Sequence, residues 1–281
     1  MHLKLPCGYN IIICRKSENG GALLSDIKLG AQLYTLRDYI KNYEDAEKTF
    51  AYLDSIGINT VQISGIGPIE PEKVAYLVDK YNMDVCVTHT PFDRMLEDTE
   101  AVVREHRMIH CDTLGIGSMP DEYRGSEEGV REFIKLTDGL ARKLRDMGMH
   151  FAYHNHAFEF KKYNGRRIID MLVEDTDPEL FGFIMDTYWV QYGGGNPADF
   201  IRRLSGRMKV CHFKDYKIDS ENKPDFAEIG TGNLDLDECY RACRESGVGY
   251  IVIEQDTCDI DPRESMAISY KNLIDIAKRN S

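Results

Sequence analysis

Most of the chain repeats one unit: a short run of apolar, aromatic or β-branched residues, then a longer amphipathic run. From Lys28, LGAQLYTL precedes a helical pattern over Glu44–Ser55, TVQIS precedes PEKVAYLVDKY, DVCVTH precedes LEDTEAVVREHRMI, and TLGIG precedes the long run Glu127–Met147. The second half continues with HFAYH, GFIMD, MKVCH and YIVIE, the last followed by PRESMAISYKNLIDIAKR. Short buried runs alternating with helical periodicity predict βα units, and eight of them predict a closed (β/α)8 TIM barrel of class α/β. Alternation alone also permits an open doubly wound sheet, but polar residues ending several late strands favour closure. Gly57, Gly148 and Gly247 each stand before a strand, where a left-handed residue stops a helix and turns the chain back.

A chain of 281 residues is long enough for one such barrel, expected over residues 26–281 as a single domain. Residues 1–25 hold a very short apolar run and no convincing cleavage site, so they read as an N-terminal extension outside the barrel, disordered or a start-site artefact. The net charge of −12 argues against a surface that tracks phosphates, which removes nucleic acid as an expected partner. No stretch reaches the ~20 apolar residues that cross a bilayer, so a soluble, cytoplasmic protein without a membrane partner is expected, with a homo-oligomer left open. The eight cysteines show no CxxC pair and read as reduced thiols, with Cys86, Cys111 and Cys211 expected in strands.

Four of the strand-like runs end in a side chain able to bind metal: FAYHNH at His154, GFIMD at Asp186, MKVCH at His212 and YIVIE at Glu254. Strand ends converge on one rim of a barrel, so ligands far apart in sequence can meet at one ion. Two imidazoles and two carboxylates suit one divalent metal ion, Mn2+ first and Zn2+, Co2+ or Fe2+ as alternatives, better than Mg2+ or Ca2+. The plainer reading is that each strand simply ends in a polar residue where the chain meets water.

The segments AQLYTLRD, YHNHAFEF, MDTYW, HFKD and VIEQD resemble the sugar phosphate isomerase/epimerase family of the xylose-isomerase-like TIM barrels, a superfamily that includes the AP endonuclease family 2 proteins. The resemblance runs from about Lys28 to Lys278. It implies a divalent metal held after strands five to eight, and the matching positions are His154, Asp186, His212 and Glu254.

One departure stands out. In the related ketose 3-epimerases the strand-five ligand is a Glu that forms an acid/base pair with the strand-eight Glu; here His154 takes that place. A metal-bound imidazole is a poor proton shuttle because the metal uses its lone pair. With Glu254 as one catalytic group, the candidates for a second are His156 and Glu159 on the strand-five loop and Lys214 beyond His212. A solvated loop position for Glu159 and a surface ion pair with Asp215 for Lys214 are the alternatives. His89, Trp189, Tyr34 and Gln32 are candidates for substrate binding, although Gln32 and Tyr34 cannot both point inward from a regular strand. The loops GGGN at 193–196 and GTGN at 230–233 offer backbone N–H groups that suit an anion or merely a tight turn.

The chemistry that fits is proton abstraction beside a carbonyl, with a metal as Lewis acid and a nearby base. Returning the proton elsewhere isomerises or epimerises a small sugar or polyol. Loss of a β-oxygen instead makes a lyase or dehydratase acting on a keto-sugar or keto-inositol. A DNA-repair endonuclease is opposed by the acidic charge, and a catalytically idle sugar-binding barrel remains as a reading from another class.

Overall fold

The structure, a computed structural model, describes residues 27–280, so the reading of residues 1–25 as an extension lies outside the described residues. Eight parallel strands form a closed barrel: β1 (Lys28–Gln32), β2 (Thr60–Ile63), β3 (Asp84–His89), β4 (Thr113–Ile116), β5 (His150–His154), β6 (Phe181–Asp186), β7 (Val210–Phe213) and β8 (Tyr250–Ile253). Each pairs with its neighbour in sequence, and β1 closes on β8 through Lys28↔Tyr250 to Ala31↔Ile253. The expected barrel is therefore present. Its outer layer is built from α1 (Tyr43–Ser55), α2 (Pro71–Lys80), α3 (Phe92–Glu97), α4 (Thr99–Met108), α5 (Glu127–Asp146), α6 (Ile168–Glu174), α7 (Thr187–Tyr192), α8 (Pro197–Arg203), α9 (Leu236–Glu245) and α10 (Pro262–Arg279).

Strand alternation sorts the side chains into two cores. Residues such as Phe151, Tyr153, Phe183, Met185, Phe213, Ile251 and Ile253 join the large core shared with the helices. Val87, Ala152, Ile184, Val210 and Val252 belong to a separate small cluster. Each of these five stands two residues before a polar residue of the same strand or strand end: His89, His154, Asp186, His212 and Glu254. Side chains two apart share a face, so the apolar plug and the polar rim are successive layers of one barrel interior. Gly115 belongs to this narrow space, because a Cβ there would lie 2.5 Å from Thr88 O and 2.9 Å from Ile184 Cδ1.

Gly57, Gly148 and Gly247 have φ of 83°, 75° and 73°, the left-handed stops expected of them. Two local readings are corrected. The strand expected over LGAQLYTL ends at Gln32, whose Oε1 accepts from Tyr34 N and starts a 3-10 helix, Leu33–Tyr39. Cys111 is buried but precedes β4 rather than lying in it, whereas Cys86 and Cys211 are in β3 and β7. No helix among the described residues is long and apolar enough to cross a membrane.

Candidate metal centre and active site

His154 ends β5, Asp186 ends β6, His212 lies in β7 and Glu254 follows β8, and all four are buried. One ligand atom from each falls within 4.8 Å of the others. His154 Nε2 is 3.5 Å from Asp186 Oδ2, and His212 Nδ1 is 3.9 Å from Asp186 Oδ2 and 3.0 Å from Glu254 Oε2.

The surroundings decide which atoms face the cluster. His154 Nδ1 lies 3.0 Å from Gly117 O, a pure acceptor, so that nitrogen carries the proton and Nε2 keeps its lone pair. His212 Nε2 lies 2.7 Å from Gln62 Oε1, which assigns its proton in the same way and turns the Nδ1 lone pair toward Glu254 and Asp186. A lone pair facing a carboxylate at 3.0 Å repels unless a positive charge sits close by, and Lys214 Nζ, 3.4 Å from the same Glu254 oxygen, supplies part of that charge. Asp186 Oδ1 accepts from Trp189 N at the start of α7, while Asp186 Oδ2 and His154 Nε2 are buried with no hydrogen-bond partner among the described residues. Buried polar atoms without partners are costly. Two such atoms, two imidazole lone pairs and two carboxylates converging on one point fit a divalent cation.

Among the described residues, Lys214 is the cation inserted beside this set. Its Nζ is 2.8 Å from Asp256 Oδ1, 3.4 Å from Glu254 Oε2 and 3.6 Å from Asp186 Oδ2, and the faces of Trp189 and Phe226 lie 5.1 and 5.2 Å away. Burial alone would lower its pKa, but the carboxylates of Glu254, Asp186 and Asp256 outweigh that and raise it. The surface pair with Asp215 is not formed. Asp215 instead accepts from the backbone N–H groups of Tyr216, Gly230, Gly232 and Leu234. The GTGN loop does bind an anion, and the anion is the chain's own carboxylate. The GGGN loop packs on Phe160, whose ring would lie 2.3 Å from a Cβ at Gly193.

A cavity of about 330 Å3 opens above the cluster, lined by Tyr34, His89, His154, His156, Lys214, Glu254 and Asp256 among others. Tyr34 reaches it because β1 has already ended, while Gln32 is fully buried and does not line it. His89 Nδ1 is 3.1 Å from Ser64 Oγ and its Nε2 has no partner. His156 Nδ1 is likewise buried without a hydrogen-bond partner among the described residues; Trp189, its ring 5.3 Å from that of His156, is not among the residues that line the cavity. Burial pushes the His156 imidazole down to about 2.

Glu159 is neither solvated nor at the cavity. It is fully buried, accepting from Tyr153 Oη at 2.6 Å and from His156 N at 2.9 Å, and burial pushes its carboxyl up to about 7. It holds the backbone of the strand-five loop instead of facing a ligand.

The family description "Xylose isomerase-like TIM barrel" matches residues 50–273. The chain belongs to this family. An inosose dehydratase of Lacticaseibacillus casei is 30% identical over 164 residues, which cover 51% of this chain and 54% of that protein. An inosose dehydratase of Geobacillus kaustophilus (strain HTA426) is 35% identical over 91 residues, covering 31% of this chain and 29% of the other. The chain thus spans about half the length, or less, of these curated relatives. In three dimensions it is similar to a sugar phosphate isomerase/epimerase from Parabacteroides distasonis ATCC 8503, with TM-score 0.74, 19% identity, and 93% and 96% of the two chains covered. An IolI protein with a zinc atom superposes with TM-score 0.68 at 11% identity, covering 91% of this chain and 99% of that one. At these identities the structural likeness establishes the fold.

In this xylose isomerase-like barrel two residues of the centre escaped sequence reading. Gln62, which orients His212, is a polar residue in the middle of the buried run TVQI. Asp256, which holds Lys214, lies within VIEQD but was given no role there.

Proposed function

We propose that the protein is a divalent-metal-dependent lyase that dehydrates a polyhydroxylated ketone, a keto-inositol or keto-sugar, by removing a proton beside the carbonyl and expelling a β-hydroxyl. The observation that carries this reading is the one-sided placement of the acid/base groups. The carboxylates lining the cavity, Glu254 and Asp256, both follow β8, with Lys214 Nζ within 3.4 Å of each, whereas the end of β3 and the end and loop of β5 contribute histidines. The inosose dehydratase names of the relatives support it.

His154, Asp186, His212 and Glu254 would hold the ion, for which Mn2+ is the first choice by donor chemistry and Zn2+, Co2+ or Fe2+ also suit. When bound, it supplies a Lewis acid for the carbonyl oxygen. Glu254 Oε2 faces His212 and Lys214, and Oε1 takes no hydrogen bond among the described residues and serves as the base. It takes the proton from the carbon beside the carbonyl, and the C–H electron pair forms the enol double bond. When the β C–O bond breaks, the Lys214 ammonium protonates the leaving oxygen, water departs, and an unsaturated ketone remains. The Glu254 carboxyl then loses its proton to solvent and the neutral Lys214 amine takes one up, which restores both groups. His89 Nε2 and His156 Nδ1, on cavity-lining residues and without a hydrogen-bond partner among the described residues, are matched to substrate hydroxyls.

Isomerisation or epimerisation of a sugar is the second reading, and His156 favours it by presenting a ring to the cavity from the β5 side, three strands round the barrel from the β8 side that carries Glu254. Incubation of the metal-loaded protein with keto-inositols and ketoses separates the two. The absorbance of an unsaturated ketone marks the lyase, and an isomeric saturated ketone without it overturns the lyase reading.

A further inference from the structure

Ser64, Gly65 and His89 line two cavities at once: the one above the metal centre and a larger one of about 580 Å3 beside it. The second lies among the loops after β2 and β3 and helices α2, α3 and α4, with walls that include Ile63, Ile66, Ile69, Val74, Pro91 and Ile109. Apart from His89 Nε2, the side-chain polar groups on its walls are engaged within the protein. His106 uses both nitrogens, Nδ1 against Val102 O and Nε2 against Thr88 Oγ1, each at 2.7 Å, and Arg94 pairs with Glu105. The space therefore offers apolar surface and few hydrogen bonds, the reverse of the metal-centre cavity, where unpartnered polar atoms gather.

Small-molecule sites commonly measure ~300–1,000 Å3, so the 330 Å3 over the metal centre is at the lower end and suits a single small ring. The adjoining apolar space begins at the same three residues, with the Ser64–His89 hydrogen bond of 3.1 Å standing where the two meet. We propose that this second cavity is a substituent pocket, receiving an aryl or alkyl group carried by the polyol ketone whose ring sits over the metal centre. The proposal rests on the polyol-ketone reading above and adds that the preferred substrate is larger and less polar than a bare inosose. Apolar walls with satisfied polar neighbours favour an apolar group, because a hydroxyl placed there would lose its water without gaining a partner.

The test is calorimetric titration of the metal-loaded full chain with two matched probes, inosose and its mono-O-benzyl ethers, repeated on Ile66→Glu and Ile69→Lys. Both isoleucines are only partly buried, and inosose affinity serves as the internal control of folding. At least one ether is expected to bind tenfold or more tighter than inosose, and each substitution is expected to remove that advantage while moving the inosose Kd less than twofold. Equal affinities of inosose and every ether overturn the pocket and leave the polyol reading standing. A tighter ether whose advantage survives both substitutions places the benzyl group elsewhere and also overturns it. Binding of none of the probes overturns the polyol reading and the pocket together.

Discussion

Gln62 and His212, 150 positions apart in the chain, meet inside the barrel with Gln62 Oε1 2.7 Å from His212 Nε2. This bond fixes the imidazole so that Nδ1, and not Nε2, faces Asp186 and Glu254. Replacing Gln62 by Leu keeps the volume close but removes the acceptor, freeing the ring to turn or change tautomer. Metal affinity is expected to fall by about 10–100-fold, the usual scale for losing a group that orients a ligand. Competition with a chromophoric chelator reads it directly, and an unchanged affinity would show that the bond does not set the ligand.

Asp186→Ala and His212→Ala each delete a member of the cluster from a barrel rim. Stoichiometric metal is expected to be lost, or its affinity lowered by orders of magnitude, with the circular dichroism of the barrel retained. Elemental analysis after dialysis decides the point. Tight retention by both variants would put the ion elsewhere.

Lys214→Met and His156→Gln separate the two mechanistic readings. Lys214 Nζ lies 3.4 and 3.6 Å from oxygens of Glu254 and Asp186, so removing its charge is expected to leave metal binding intact or strengthen it while lowering turnover by about 10²-fold or more. His156→Gln is expected to cost much less in a one-sided elimination. The opposite ranking of the two rates would favour chemistry on both faces.

Glu159 gives a pH signature in stability. Burial raises its carboxyl from 4.5 to about 7 in the folded protein, so between those values the folded state holds a proton that the unfolded chain has lost. Stability from this group is present below about pH 4.5 and declines as pH rises through 7, by on the order of 3 kcal/mol in total. Urea unfolding of the protein and of Glu159→Gln at several pH values should show a difference that changes across this window. A constant difference would mean that Glu159 titrates normally.

The barrel and the convergence of the four strand-end residues were legible because both obey simple periods. Each of β5 to β8 carries an apolar residue two positions before its polar one, so the same alternation that builds the plug lifts His154, Asp186, His212 and Glu254 to the rim. What remained hidden depends on neighbours brought from other strands. For Lys214, a catalytic candidate, nothing local sets aside the plainer alternative of a pair with adjacent Asp215; Asp215 in fact turns to the 230–234 loop. Glu159 reads in the sequence as a catalytic candidate with solvated loop polarity as the alternative; it lies neither at the cavity nor in solvent, and nothing local reveals that Tyr153, on the helix-facing side of β5, donates to it. Gln62 could be singled out only as a polar residue inside a buried strand, and its partner lies on a strand far along the chain.

The central claim is that this metal centre removes a proton beside a ketone, and NMR of inosose incubated with the metal-loaded protein in D2O tests it most directly. The signal of the hydrogen beside the carbonyl is expected to disappear through exchange or elimination, at a rate far above that with metal alone, and Glu254→Gln is expected to abolish this. Retention of that hydrogen across a panel of keto-inositols and ketoses, with stoichiometric metal bound, would contradict it.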